Sequence, residues 1–262
     1  MQIGTHYYDE EIVLKRAVDI ASPAIVTRRT ALFYVHGGGW KAGSRDSFHQ
    51  HLQYFTRKGY LCASVGYRLA PAVRLSQQME DVAIGYDRFL AYIAEQGLDI
   101  EHIIVLGSSA GAHLASLLAL TDPRIFNPDL ALRQEWRRPA ACVSINGPGT
   151  LEKWEPMQAD IKRDIEDVIG VPYEQESPLF RIASPIAHVD ETAADFLFII
   201  VGKEQFFPHS FIYEMGERLL QAGKYAKVVL LPEAEHGFFY GVSGPHQLEG
   251  LAVLEPFLER YG

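Results

Sequence analysis

Ile103-Ile104-Val105-Leu106-Gly107-Ser108-Ser109-Ala110-Gly111 decides the reading of this chain. An apolar run of strand length delivers a Gly-x-Ser-x-Gly pentapeptide, and the pattern from Ala110 to about Leu120 is helical. A serine raised on a sharp strand-to-helix turn has crowded neighbours, so small residues must stand two before it and two after. Gly107 and Gly111 meet that need and make Ser109 the candidate nucleophile. The helix that follows aims its first N–H groups, and the positive end of its dipole, at charge developing beside Ser109.

Similar apolar runs recur at Ala31–Val35, Tyr60–Val65, Ala140–Ile145, Phe196–Val201 and Ala226–Leu231. They are near-continuous rather than alternating, as strands covered on both faces are. Helical patterns lie between or after them at about Phe48–Lys58, Gln77–Glu95, Ser210–Ala222 and His246–Tyr261, with Gly223 placed to end the third of these four. Alternating strands and helices predict an α/β fold, a doubly wound, mostly parallel sheet with helices on both faces. The opening Thr5–Ile20 segment has the composition of one or two antiparallel edge strands. Two connections are long, Asp122–Arg138 and Asn146 to about Asp195. The second contains an amphipathic stretch, Met157–Ile169, and is long enough to form a small lid or pocket wall. No composition shift divides residues 1–262, so a single domain is expected, with that insertion at about 146–195.

A net charge of −9 comes from scattered acids, and no Lys/Arg stripe exists to follow a phosphate backbone, which argues against nucleic-acid binding. No apolar stretch approaches the roughly 18 residues of a membrane span. The start, Met1-Gln2-Ile3-Gly4-Thr5-His6, has no basic segment followed by an apolar one. A soluble, cytoplasmic protein without a membrane anchor is expected. Cys62 and Cys142 lie inside strand-like apolar runs, which favours buried thiols over a disulfide. No metal or cofactor is expected. The histidines are dispersed, no Cys-x-x-Cys occurs, and Gly37–Gly39 lacks the Gly-Lys-Ser/Thr ending of a phosphate loop. The oligomeric state is not written in the sequence.

A serine hydroxyl is a poor nucleophile near neutral pH, so a base must take its proton, a third group must orient the base, and donors must hold the oxyanion. His236, in Glu235-His236-Gly237-Phe238, follows the last strand and is the candidate base. Glu204 is the acid in Gly202-Lys203-Glu204-Gln205-Phe206-Phe207-Pro208, after the strand Phe196–Val201; Asp195 and Glu233 stay open as alternatives. The order Ser109, Glu204, His236 is that of α/β-hydrolases. Candidate oxyanion donors are the N–H groups of Ala110 and of Gly38 and Gly39 in His36-Gly37-Gly38-Gly39-Trp40, where consecutive glycines turn the backbone toward a substrate oxygen without a Cβ in the way.

Taken together, His36–Trp40, Tyr67-Arg68-Leu69-Ala70-Pro71, Gly107–His113 and His236-Gly237-Phe238 resemble, in order and over most of the chain, the hormone-sensitive-lipase-like and bacterial feruloyl-esterase-like esterases of the α/β-hydrolase superfamily. The resemblance implies Ser109 as nucleophile, His236 as base and Gly38, Gly39 and Ala110 as oxyanion donors, with His36 bracing its loop. It also exposes departures. The acid loop is one residue short of the family's Gly-x-x-Asp-x-x-x-Pro-like pattern and carries Glu. The glycine loop comes too early for a large N-terminal cap, and Trp40 after the glycines pulls substrate choice toward small acyl groups. Trp40, Phe207 and Phe238 are the candidate substrate-binding residues, Arg68 and Asp81 a structural pair, and His113 a packing residue under Ser109.

These residues imply a serine hydrolase that cleaves short-acyl carboxylic esters, small molecules being its partners. An arylformamidase or small-peptide hydrolase using the same groups is the nearest alternative. A non-catalytic ligand-binding protein on the same scaffold is the alternative from another class.

Overall fold

Six parallel strands form the body of the sheet, the first five buried along most of their length and the sixth, at the edge, largely part-exposed. They are β3 (Thr30–Val35), β4 (Leu61–Val65), β5 (His102–Ser108), β6 (Ala141–Ile145), β7 (Asp195–Lys203) and β8 (Ala226–Glu235). Two antiparallel strands, β1 (Ile3–Tyr7) and β2 (Ala17–Ala21), complete one edge, as the Thr5–Ile20 composition predicts. The order across the sheet is β1-β2-β4-β3-β5-β6-β7-β8. This computed structural model describes residues 3–9 and 12–262. Met1, Gln2, Glu10 and Glu11 lie outside the described residues, and with them part of the Met1–His6 and Thr5–Ile20 readings.

The helices are α1 (His49–Arg57), α2 (Leu75–Glu95), α3 (Ala110–Leu120), α4 (Ala159–Ile169), α5 (Leu179–Ile182), α6 (His209–Gln221) and α7 (Pro245–Leu258). Because side chains alternate across a strand, each buried strand feeds two cores. Phe33, Val35, Ile103 and Val105 pack with α2, α3 and α6 on one face, whereas Leu32, Tyr34, Ile104 and Leu106 pack with α1 and α7 on the other. Apolar residues at consecutive positions therefore have somewhere to go, which is why these strands read as unbroken runs. The amphipathic 157–169 stretch becomes α4, whose Ile165 and Val168 are buried in the first core and whose chain turns at Gly170 with φ of 92°. Gly223 takes φ of 77° just past α6.

Between Asn146 and Asp195 no strand forms, and α4, α5 and two short 3₁₀ turns lie over the carboxyl end of the sheet's first-core face. Cys62 and Cys142 are separate buried thiols, and burial pushes the Cys62 thiol up to about 12. Among the described residues no helix is long and apolar enough to cross a membrane.

The sheet also fixes where chemistry can gather. From β3 the chain moves to β4 on one side, while β5 joins β3 on the other. Loops leaving the carboxyl ends of β3 and β5 diverge there and leave a crevice, the usual place for a ligand in an open α/β sheet.

Candidate active site

Ser109 occupies the turn between β5 and α3 with φ of 55° and ψ of −124°, a region that L residues visit only when the surroundings enforce it. The enforcement is visible in its neighbours. A Cβ on Gly107 would collide with the backbone of Gly111, and one on Gly111 would collide with the carbonyls of Val35 and His36. The turn can be this tight only because both flanking positions lack side chains. Backbone bonding then fixes its outer side, since Ser109 N donates to Ile145 O on β6 at 2.8 Å.

His236 and Glu204 meet the serine from the adjoining strand ends. His236 Nε2 lies 2.8 Å from Ser109 Oγ, and Nδ1 lies 2.8 Å from Glu204 Oε2. An ionised carboxylate only accepts, so Nδ1 carries the proton and Nε2 is left to accept from the serine hydroxyl. Glu204 is 6 % exposed. Its other oxygen accepts from the N–H groups of Gln205 and Phe206 at 3.0 and 2.8 Å. Burial pushes the Glu204 carboxyl up, but the hydrogen bond and charge of His236, with those two N–H groups, outweigh it and leave its pKa lowered. It is therefore charged wherever His236 has to take up a proton.

The competing acids lie elsewhere. Asp195 opens β7 at the opposite end of the strand and accepts from Tyr225 N and the Tyr261 hydroxyl. Glu233 is an exposed partner of Lys203.

The glycine loop after β3 turns through positive φ at Gly38, Gly39 and Trp40, 118°, 57° and 61°. Among the described residues no protein acceptor takes the N–H of Gly38 or Gly39, and Ala110, first residue of α3, has no partner for its N–H within the helix. The loop is held from behind. Gly37 N donates to the Tyr240 hydroxyl at 3.0 Å, the His36 ring stacks on Tyr67 with centroids 4.2 Å apart, and the Tyr67 hydroxyl donates to His36 O. His36 thus braces the loop and does not approach Ser109's hydroxyl partners.

Trp40 is tied down from its own side chain: Nε1–H donates to His113 Nδ1 at 3.2 Å, and His113 Nε2–H donates to Ala183 O at 2.7 Å. This relay joins the glycine loop, α3 and the 146–195 segment. It requires a neutral imidazole, and burial pushes the His113 pKa down to about 4. His113 is a packing residue, as its spacing from Ser109 implies. Arg68 and Asp81 form the expected structural pair, with Arg68 Nε, Nη2 and N all donating to the fully buried Asp81 carboxylate at 2.8–2.9 Å.

A cleft of about 440 Å³ opens over Ser109 and His236, lined by the glycine loop, Trp40 and Phe207 among the sequence-predicted residues. Phe238 is not brought into it. Gly237 takes φ of 79° and the following 3₁₀ turn sends Phe238 and Phe239 back toward Gly250 of α7, so Phe238 borders a separate depression behind His236. The ring beside His236 is instead Phe206, edge-on with centroids 4.7 Å apart, and Tyr240 completes the turn into the cleft. Ile161 and Asp164 of α4 form the far wall. Sequence reasoning missed these two: spacing i, i+3 placed them on one helix face, but nothing in the chain indicated which face looks onto Ser109.

Comparison with known proteins agrees with this architecture. The BD-FAE family model matches residues 18–214, ending before the strand that precedes His236. A probable carboxylic ester hydrolase of Mycobacterium tuberculosis, LipM, is 28% identical over 215 residues, which are 79% of this chain and 49% of that protein. The ethyl acetate hydrolase of Pseudomonas putida is 30% identical over 244 residues, 88% of this chain and 73% of that protein. The chain spans about half the length of the mycobacterial relatives it matches, which include esterases LipC and LipQ. Among solved structures, the propionate-bound esterase Est2 of the Planctomycetes species Thermogutta terrifontis superposes with a TM-score of 0.77 at 23% identity, covering 99% of this chain and 94% of that one. That likeness establishes the fold. The chain belongs to the BD-FAE family, among the esterases of the α/β-hydrolase superfamily.

Proposed function

We propose that this protein is a serine hydrolase of small carboxylic esters, preferring short acyl groups. One observation carries the reading: an unbroken hydrogen-bond chain from Glu204 through His236 to Ser109 ends in a cleft beside N–H groups that no protein acceptor takes. Ser109 Oγ attacks the ester carbonyl while its proton passes to His236 Nε2. Glu204 holds the Nδ1 proton in place and stabilises the imidazolium that forms. The N–H groups of Gly38, Gly39 and Ala110 receive the developing oxyanion. His236 then protonates the departing alkoxide, an acyl-enzyme remains on Ser109, and water activated by the same histidine releases the acid.

The short-acyl preference is supported by the size of the cleft, toward the small end for ligand sites, and by a 30%-identical relative named for ethyl acetate. In this reading residues 1–262 act as one domain, Trp40 and Phe207 line the acyl or alcohol side, and the 146–195 segment is its pocket wall.

Hydrolysis of p-nitrophenyl esters from acetate to decanoate tests the proposal. Turnover should be confined to the shorter chains and fall by roughly 10⁴-fold or more in Ser109→Ala, and nearly as far in Glu204→Gln, with the circular dichroism of each variant unchanged. Full activity in a folded Ser109→Ala protein would remove the serine from the mechanism. A larger loss in Asp195→Asn than in Glu204→Gln would move the acid.

A further inference from the structure

Among the described residues lining the cleft beside Ser109, one carries a formal charge at neutral pH, Asp164. It stands on α4 with Oδ2 toward the glycine loop, 3.2 Å from where a Cβ on Gly39 would lie. Its Oδ1 accepts from Lys41 Nζ at 2.9 Å, and the same ammonium donates to Asp167 Oδ2 at 2.8 Å. One ammonium set between two carboxylates leaves a net negative charge, and neither Lys41 nor Asp167 belongs to the lining. Of the other large side chains in the lining, Ile161 is aliphatic, and Trp40, Phe206, Phe207 and Tyr240 are aromatic. Their ring faces attract a cation and offer nothing to a carboxylate.

We infer that Asp164 is a specificity-determining residue. It makes the cleft favour esters bearing a compact ammonium group over neutral esters of the same shape, and disfavour esters bearing a carboxylate. The inference rests on the ester-hydrolase reading and adds a substrate class to it. No bond to the reacting carbonyl is involved. The carboxylate acts on substrate and transition state alike, so its influence falls mainly on KM. For a partly solvated site the discrimination is about tenfold.

Two pairs of near-isosteric esters test this on the full chain. Butyrylcholine is compared with 3,3-dimethylbutyl butyrate, and ethyl hemisuccinate with ethyl pentanoate. The choline ester should exceed its neutral partner in kcat/KM by about tenfold, mostly through KM, and the hemisuccinate should fall below its partner by a similar factor. Asp164→Asn should bring both ratios toward one, and added sodium chloride should shrink them in the unaltered protein. Ratios near one in the unaltered protein, or ratios that respond to neither the substitution nor salt, overturn the inference. If Asp164→Asn does not fold, the salt series decides. Turnover of the neutral esters is scored separately, so its absence counts against the hydrolase reading and not against Asp164.

Discussion

The two sides of the cleft are built on different principles. On the loop side, Gly37–Trp40 and Gly107–Gly111 meet backbone to backbone, at separations where a single Cβ would collide, and the supporting Tyr67 and His113 are buried. On the wall side, α4 reaches the glycine loop through Lys41, Asp164 and Asp167, all 27–35% exposed. Dry, close contact fixes geometry without adjustable side chains. Part-solvated ion pairs between flexible side chains leave geometry loose and set charge. The difference teaches that one half of the cleft has its geometry fixed by the backbone, while the other can change its charge at little cost to the fold.

Acid is the strongest way to break the loop side. His36 and His113 of the loop side are buried, as is His51 on α1, whose Nε2 pairs with Gly241 O at 3.1 Å, and burial pushes each down to about 4, so the folded protein holds them neutral. The unfolded chain protonates them near their ordinary value of about 6.5. Lowered histidines give stability that is complete above that value and is lost as pH falls from about 6.5 toward 4. Each contributes roughly 3 kcal/mol over that window, together a large part of a typical domain's 5–15 kcal/mol. Chemical denaturation between pH 7 and 4 should show that decline. A stability flat across this range would mean the three imidazoles are not held neutral.

Gly111→Ala is a smaller and more local break. The added methyl has the Val35 and His36 carbonyls in its way, so the chain between β5 and α3 must shift, at an expected loss of about 3 kcal/mol or more in unfolding free energy. The smallest effect belongs to the wall. Lys41→Met should change the unfolding free energy by less than about 1 kcal/mol, because both ion pairs are partly solvated. A loss as large as that of Gly111→Ala would show the two sides to be built alike.

The same contrast explains what the sequence could and could not reveal. The strands were legible because β3 to β7 bury both faces, and the serine turn because close approach admits only glycine at 107 and 111. Glu204 was legible by place after β7 despite a loop one residue short, and its Oε2 reaches Nδ1 at 2.8 Å. Phe238 was misplaced because its direction depends on the positive φ of Gly237, a backbone choice that aromatic composition does not encode. Asp164 and Ile161 stayed hidden because an amphipathic helix announces only that it has a polar side, whether that side faces bulk solvent or a substrate.

His236 stands just past β8, a strand at the edge of the sheet that pairs with β7 alone among the described strands. Edge elements open more readily than central ones. When β8 frays, His236 leaves with it, although Ser109, the glycine loop and the rest of the sheet keep their places. Thermal loss of activity should therefore run ahead of loss of secondary structure, and recover on cooling as quickly as one strand can re-zip. The molecule can be disarmed without being unfolded.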